Sequence, residues 1–152
     1  MMRKVMKLMA VGLSALMLIG CGSTKEQSVT LTNESSGVKV DMLLEAKGDT
    51  LQKMTQTSTL DISAYGEEYV DLFQEQIDLA EEKFEGITGA TYSYDYGDTE
   101  LKEIITIDMT DTDSLDKLSN ENLLPIEGTT SKVSLEKTKE SLVGQGWTVV
   151  EE

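Results

Sequence analysis

The sequence contains no histidine, and it has only one cysteine and one proline among its 152 residues. The absence of histidine excludes Ser-His-Asp triads and Cys–His pairs, and it removes the usual nitrogen ligand of zinc sites. A single cysteine cannot form an intramolecular disulfide, so the fold depends on its core. Basic residues are also scarce, thirteen against 28 acids. This balance argues against nucleic-acid binding, because phosphate contacts need clustered positive charge.

The first twenty residues differ in composition from the rest of the chain. They contain fourteen apolar residues, three of the thirteen basic residues and no acid. A basic start at 1–7 followed by the apolar run 8–19 is typical of a secretory signal peptide. A membrane-spanning helix requires about 20 apolar residues, whereas the uncharged stretch 8–24 has seventeen residues. We therefore expect residues 1–20 to be cleaved, which leaves a chain with a net charge of −18.

The apolar run ends in a motif that resembles the lipobox of bacterial lipoproteins: Leu18, Ile19, Gly20 and Cys21. The thiol in such a motif accepts a diacylglyceryl group, and the small residue before it admits the signal peptidase. Leu18, Ile19 and Gly20 are thus the predicted recognition residues, and Cys21 is the predicted lipidation site and new N-terminus. Two or three acyl chains hold a protein stably at a bilayer, whereas one chain holds it only marginally. The alternatives are a buried core cysteine and an uncleaved helical anchor.

The anchor predicts where the remaining chain lies. Residues 21–27 are expected to be the lipidated cysteine and a flexible tether, since 22–27 is small and polar without an apolar pattern. Residues 28–152 are expected to form one domain. The domain would lie on the extracytoplasmic side of the cell membrane, or at the outer membrane if the source has two membranes. A net charge of −18 predicts repulsion from anionic lipids.

The expected partners follow from the same features. We expect the covalent anchor to contact membrane lipid, and we expect the domain to contact an unknown envelope protein or a small ligand. Neither nucleic acid nor a cofactor other than the diacylglyceryl or acyl lipid on Cys21 is expected. We expect the protein to be a monomer.

The hydrophobic pattern predicts three strands, a helix, two strands, a short helix, another helix and a last strand. Alternation of polar and apolar residues indicates strands at 28–33, 38–46, 50–62, 90–96, 101–109 and 147–150. Asp111 or Asp113 would cap the short helix, and Ser134 would cap the helix after it. Because no alternating βαβ rhythm occurs, the sequence predicts an α+β fold, with a mostly antiparallel sheet of about six strands and two main helices packed on it.

The helix predicted at 67–85 has an apolar stripe, and Gly86 is placed to end it. The stripe is expected to face the sheet through Val70, Phe73, Ile77, Ala80 and Phe84, widened by Tyr69, Leu72 and Leu79. In the last helix, the expected inward residues are Leu135, Leu142 and Val143. The stretch 120–130, which contains the only proline, is the longest predicted loop.

The chain from Cys21 to near its C-terminus resembles small bacterial lipoproteins of the YehR type, a domain of unknown function. The resemblance is carried by residues 84–90, 94–96 and 134–135, by Leu142, and by a glycine–tryptophan pair at 146–147 before the last strand. The resemblance implies a surface-anchored α+β domain. It supplies no catalytic residues.

A row of tyrosines is the first candidate for ligand contact. Tyr92, Tyr94 and Tyr96 alternate along one predicted strand, so their side chains share a face. An exposed aromatic row can stack on a sugar or a peptide. The same row can instead cover the sheet beneath the helix at 67–85, and the sequence leaves both interpretations open.

A group of four acids is the second candidate: Asp108, Asp111, Asp113 and Asp116. Oxygen ligands suit hard cations such as calcium. An EF-hand loop that started at Asp111 would need glycine at its sixth position and glutamate at its twelfth, and these positions hold Asp116 and Asn122. Helix caps and a solvated strand end account for the acids, so no metal site is predicted.

We expect a non-catalytic cell-envelope lipoprotein whose small acidic domain contacts a protein or another envelope component. The alternative is an extracytoplasmic binding module for a cation or a small solute. A small hydrolase is the third hypothesis, because Ser134 lies near Lys132 and Lys137 in the sequence and Ser–Lys pairs can act as nucleophiles. Nothing in the sequence fixes that geometry, so no catalytic residue and no enzyme activity is predicted.

Replacing Cys21 with serine is expected to release the protein from membranes, because serine lacks the thiol that receives the lipid. Immunoblots of membrane and soluble fractions measure the effect, with Gly22→Ser as the control that keeps the thiol. A Cys21→Ser protein that stays uncleaved in the membrane fraction would identify residues 8–24 as a helical anchor instead.

Overall fold

A computed structural model describes residues 25–124 and 132–151. The elements of this part of the chain are β1 (Glu26–Ser35), β2 (Val38–Lys47), β3 (Thr50–Asp61), α1 (Val70–Phe84), β4 (Ala90–Tyr96), β5 (Glu100–Asp108), α2 (Thr112–Asn120), α3 (Leu135–Gly144) and β6 (Thr148–Val149). A single 3-10 turn, Glu67–Tyr69, precedes α1. The strands form one antiparallel sheet in the order β4-β5-β3-β2-β1-β6. The predicted class, sheet type and element order are confirmed.

Tight turns set the register of the first three strands. Ser36 and Gly37 join β1 to β2, with φ of +54° and +81°. Positive φ at both central residues is the geometry of a type I′ hairpin, whose twist matches that of the strands it joins. Gly48, with φ of +60°, begins the turn from β2 to β3. The resulting register places Leu31 opposite Met42, so both side chains lie on the same face of the sheet.

One face of the sheet carries the core. Five strand residues that point to this face are almost fully buried: Leu31, Met42, Leu44, Met54 and Ile107. Each helix contributes buried side chains to the same cluster: Phe84 from α1, Leu115 and Leu118 from α2, and Leu135 and Leu142 from α3. Burial of apolar surface is worth about 25 cal/mol per Å², so this covered face is the main source of stability.

The opposite face is rich in threonine. Thr55 and Thr57 of β3 point to it, and their cross-strand neighbours include Thr106 and Ile104 of β5. Within the described residues, none of these side chains belongs to a buried apolar cluster. Threonine is β-branched and suits a pleated surface that is only partly buried. We call this the open face.

Five apolar residues predicted to face the core are exposed instead: Tyr69, Val70, Leu72, Leu79 and Val143. In α1 only Ile77 and Phe84 are buried. The reason is that α1 lies against β4, the outermost strand of the sheet, which covers only a narrow stripe of the helix. The predicted stripe was therefore too wide, and its first residue, Val70, was wrong, whereas Phe73, Ile77, Ala80 and Phe84 are buried or half-buried as predicted.

The first strand starts earlier than predicted. Glu26 and Gln27 belong to β1, opposite Lys47 and Ala46 of β2. The Gln27 side-chain amide also donates to the Gly48 carbonyl at 2.5 Å. The last two residues of the predicted tether are thus part of the sheet. Of the loop predicted at 120–130, residues 125–130 lie outside the described part of the chain.

Leu43 and Leu44 are neighbours in β2 that point to opposite faces, and they provide a matched test of one-sided burial. Leu44 is fully buried and Leu43 is half-buried. We expect Leu44→Ala to lower the free energy of unfolding by about 2–5 kcal/mol, because it leaves a cavity in the core. Leu43→Ala is expected to cost about 1 kcal/mol. Urea denaturation measures both, and equal losses would contradict one-sided burial.

Candidate functional site

The two ends of the sheet expose different chemistry. Strand β1 begins at Glu26, close in sequence to Cys21, and the β2–β3 turn lies beside it. We call this the tether end. The opposite end, which we call the distal end, holds the Ser36–Gly37 turn and the segment 62–69 that follows β3. The ends are separated by the ten residues of β2, which span roughly 30 Å at about 3.4 Å per residue.

Four aromatic side chains meet at the distal end, and we call them the distal aromatic cluster: Tyr65, Tyr69, Phe73 and Tyr96. The ring centroid of Tyr65 lies 5.3 Å from those of Tyr69 and Phe73, with interplanar angles of 75° and 82°. Phe73 lies 6.4 Å from Tyr96 of β4. Edge-to-face pairs at these separations are attractive beyond their area of contact. The cluster therefore holds its rings in a defined arrangement.

The turn after β3 positions Tyr65. The Asp61 carboxylate accepts hydrogen bonds from the Ser63 hydroxyl at 2.5 Å and from the Ser63 backbone N–H at 2.9 Å. These bonds, the hydroxyl first, lower the pKa of Asp61. The backbone N–H of Tyr65 then donates to the Ile62 carbonyl at 3.0 Å, and Ile62 is itself bonded to the Thr99 carbonyl. The turn is thus fixed to both neighbouring segments.

Two members of the distal aromatic cluster are exposed and two are anchored in the fold. Tyr65 is 43% exposed and Tyr69 is 41% exposed. Phe73 and Tyr96 pack against a small buried cluster that contains Ile77. Because Phe73 and Tyr96 hold them in place, Tyr65 and Tyr69 present a flat and rigid contact surface. Little side-chain entropy is then lost when a partner binds.

Three carboxylates lie close to the exposed tyrosines in the sequence. Glu67 and Glu68 lie in the 3-10 turn between Tyr65 and Tyr69, and Asp71 lies in the first turn of α1. All three are exposed. Aromatic faces attract cations, and neighbouring negative charge adds to this attraction. The site is suited to a positively charged group.

The sequence reasoning named one member of this cluster, Tyr96 in the tyrosine row, but it did not predict the site. It did not single out Tyr65, and it assigned Tyr69 to the buried stripe of the helix. The available signal was the pair of tyrosines four residues apart with Gly66, Glu67 and Glu68 between them. That stretch has no alternation of polar and apolar residues, so the sequence pattern gives no reason to bury Tyr65.

The predicted tyrosine row lies on the covered face, and its three members have different environments. Tyr92 stacks on Phe84 with ring centroids 5.9 Å apart, and its hydroxyl donates to Glu103 at 2.5 Å. Burial raises the pKa of Tyr92 well above its usual range, and the bond to Glu103 adds to this effect. Tyr96 belongs to the distal aromatic cluster, and Tyr94 is 38% exposed.

Of the four acids that form the second candidate, Asp108 ends β5 and Asp111 caps α2, whereas Asp113 and Asp116 lie within α2. Asp108 accepts from the backbone N–H of Thr110 at 2.8 Å, and Asp111 caps α2 by accepting from the Ser114 backbone N–H at 3.2 Å. Asp113 and Asp116 are exposed on α2. In residues 25–124 and 132–151, no three acidic, histidine or cysteine side chains lie close enough to hold a metal ion.

Ser134 caps α3 as predicted, since its hydroxyl accepts from the Lys137 backbone N–H at 3.2 Å.

A shallow depression of about 460 Å³ lies at the tether end, where β3, β4 and β5 meet the loops. Its walls are mainly hydroxyl-bearing and charged: Lys53, Thr88, Thr91, Thr106, Asp108 and Thr110.

The predicted lipidation site and peptidase recognition residues lie outside the described part of the chain: Leu18, Ile19, Gly20 and Cys21. Among the described residues, no helix has both the length and the apolar character needed to cross a membrane.

Comparisons with known proteins agree with this architecture. The family model for a protein of unknown function (DUF1307) matches residues 27–148. An uncharacterised lipoprotein of Listeria monocytogenes is 28% identical over 153 residues, which cover 97% of this chain and 95% of the relative. One from Listeria innocua is 28% identical over 156 residues, covering 99% and 97%.

Two solved structures share the fold. The NMR structure of the E. coli YehR protein has a TM-score of 0.67 at 21% identity, covering 85% of this chain and 94% of that one. An NMR structure of a Streptococcus pneumoniae protein has a TM-score of 0.52 at 19% identity, covering 90% and 93%. Both comparisons concern the fold alone.

The cap of α2 predicts an acid-sensitive contribution to stability. Hydrogen bonds from the Ser114 side chain and then its backbone lower the pKa of Asp111. A carboxyl group whose pKa is lower in the folded state stabilises the fold above its unfolded pKa, about 3.9. That stabilisation is lost as the pH falls through the folded value.

An NMR titration of the Asp111 side-chain carboxyl carbon measures this pKa directly. We expect a value below the ordinary one in the wild type, and a shift back towards it in Ser114→Ala, which removes the hydroxyl donor. A wild-type Asp111 that titrates at its ordinary pKa would show that the cap does not form in solution.

Proposed function

We propose that this chain, which belongs to the DUF1307 family of proteins of unknown function, is a non-catalytic lipoprotein of the bacterial cell envelope. The anchor in this proposal is Cys21, after removal of residues 1–20 at the motif formed by Leu18, Ile19 and Gly20. Two observations support it: the residues of the motif themselves and the names of the Listeria relatives, which are uncharacterised lipoproteins. The domain then faces the extracytoplasmic side.

The distal aromatic cluster is the partner-binding surface of the proposed function. The observation that carries this is a pair of supported tyrosines, each more than 40% exposed, with the exposed Glu67 and Glu68 between them in the chain. Tyrosine is enriched among the residues that contribute most to protein–protein binding. The partner that fits is an envelope protein or polymer that presents lysine, arginine or another cation.

The position of the cluster agrees with such a role. Measured along β2, the cluster lies roughly 30 Å from the tether end. An anchored domain therefore presents the cluster away from the lipid surface. Val70 and Leu72 are exposed next to it, at 44% and 49%, and extend the apolar contact area. Glu67 and Glu68, which are exposed between Tyr65 and Tyr69 in the chain, add negative charge to this apolar area, and a polar rim next to an apolar centre is the arrangement found in protein interfaces.

A small-solute binding module is the second candidate function. It is favoured by the depression lined with threonine hydroxyls, Lys53 and Asp108. Its volume is within the range of known ligand sites, about 300–1,000 Å³, although such sites are usually more enclosed. This alternative places no partner at the distal aromatic cluster, so one experiment separates the two functions.

The test is photo-crosslinking in living cells with a crosslinking phenylalanine analogue in place of Tyr65. The matched control carries the analogue in place of Tyr94, which is 38% exposed and lies outside the cluster. We expect a reproducible crosslinked species from position 65 and none from position 94. Glu67→Gln combined with Glu68→Gln is expected to lower the yield roughly tenfold, because each lost charge contact contributes up to about 1 kcal/mol.

Thermal unfolding of each variant verifies that the fold is retained. The proposed partner surface fails if position 65 gives no crosslink, or if positions 65 and 94 give the same species with equal yield. A crosslink that is insensitive to the two glutamates would contradict a cationic partner while leaving the aromatic contact in place.

A further inference from the structure

Four of the ten lysines that follow the first twenty residues lie at the tether end, and we call them the lysine corner: Lys25, Lys47, Lys132 and Lys137. The first two are joined through the sheet. The Gly48 backbone N–H donates to the Lys25 carbonyl at 2.8 Å, and Lys47 lies opposite Glu26 in the β1–β2 pairing. Lys25 and Lys47 thus flank the β2–β3 turn at the point where the tether leaves the domain.

The other two lysines come from a distant part of the chain that is bonded to the same turn. The Leu51 backbone N–H donates to the carbonyl of Val133, the residue after Lys132, at 2.8 Å. The Leu135 backbone N–H donates to the Asp49 carbonyl at 2.8 Å, and Lys137 follows in the first turn of α3. More than eighty residues of sequence separate Lys47 from Lys132, so only the fold brings the four together.

The four ammonium groups are available for an external anion. All four residues are exposed. Within residues 25–124 and 132–151, the ion pairs involve other lysines: Lys39, Lys53, Lys102 and Lys139.

The carboxylates near the corner are mostly engaged. Asp49 accepts from the backbone N–H of Glu136 at 2.9 Å, and Glu136 itself pairs with Lys139 at 2.9 Å. Glu45 pairs with Lys53 at 2.6 Å. Glu26 is the acid next to Lys47 that has no such contact within the described residues. Asp49 keeps its charge and interacts with Lys137, so the four lysines face two unneutralised acids, Asp49 and Glu26. Among the described residues the corner thus has a positive balance, in a chain whose net charge after residue 20 is −18.

The tether keeps this region near the lipid. Only three residues lie between Cys21 and Lys25, so the four Cα–Cα steps of even a fully extended tether reach no more than about 14 Å. The Debye length at physiological ionic strength is about 8 Å. Anionic headgroups beside an acylated Cys21 would thus lie within electrostatic range of the corner.

We propose that the lysine corner binds the headgroups of anionic phospholipids beside the anchor. The inference rests on the anchor of the proposed function. The strongly acidic remainder of the domain is repelled by the same surface, and the two effects together hold the domain with its distal end outward. The net charge of the chain alone predicted repulsion everywhere, because it does not reveal how the charges are distributed.

The test is acetylation of lysines in the protein reconstituted in vesicles of phosphatidylcholine alone or with one third phosphatidylglycerol. Mass spectrometry after a short pulse of reagent gives the rate at each lysine. In the vesicles that contain phosphatidylglycerol, we expect rates at least threefold lower at Lys25 and Lys137, and unchanged rates at Lys39 and Lys102. High salt should abolish the difference, since the Debye length falls to about 3 Å at 1 M.

Charge-reversal variants provide the matched control. Lys47→Glu combined with Lys132→Glu is expected to remove the protection of Lys25. Lys39→Glu combined with Lys102→Glu, which makes the same change in net charge on the open face near the distal end, should retain it. Equal acetylation rates in both kinds of vesicle, or protection that survives the Lys47 and Lys132 reversal, would overturn the proposal.

Flotation with vesicles of pure phosphatidylcholine tests the anchor separately, because these vesicles carry no net charge. A protein that fails to float contradicts the anchor of the proposed function. Its Cys21 thiol is then coupled to a maleimide lipid, so that the acetylation measurement still decides whether the lysine corner binds anionic headgroups.

Discussion

The burial of only one face of the sheet is the constraint on which the rest of the structure depends. Alternate residues of β1, β2, β3 and β5 point into one main apolar cluster, and the helices close it from one side, with a smaller cluster around Ile77 at the distal end. The chain has no disulfide to supplement this core. Because the helices pack on one side of the sheet only, the described residues leave the open face and both ends of the sheet accessible to other molecules.

Because the strands are long, the domain has two well-separated ends that expose different residues. The tether end collects exposed lysines around the β2–β3 turn, and the distal end exposes Tyr65 and Tyr69 among carboxylates. The lysine corner attracts negatively charged groups, whereas the distal aromatic cluster attracts positively charged groups. In an anchored protein, one end suits the lipid surface and the other suits a cationic partner, and the fold keeps them apart.

Much of the fold follows from local rules that the sequence displays directly. Alternation of polar and apolar residues predicted the bounds of β2 and β4. Capping rules predicted the caps at Asp111 and Ser134, and the end of α1 was predicted at Gly86, whose φ is positive. The family assigned from the glycine and core positions also agrees with the family model and with the YehR fold.

The sites were harder to predict, because they depend on tertiary position. Apolar residues that recur every three or four positions identify the inward side of α1. This spacing does not reveal that α1 lies at the sheet edge, where Tyr69, Leu72 and Leu79 stay exposed. The lysine corner requires Val133 to meet Leu51, and no local pattern encodes that contact. Net charge likewise gives no information about where the lysines gather.

We propose that the domain is held at its tether end by lipid on Cys21. The most direct measurement is the mass of the N-terminal peptide of the protein extracted from its native membranes. The account predicts a peptide that begins at Cys21 and carries the added mass of a diacylglyceryl group with its acyl chains. A peptide that begins at Met1 and contains a bare thiol at Cys21 would contradict it.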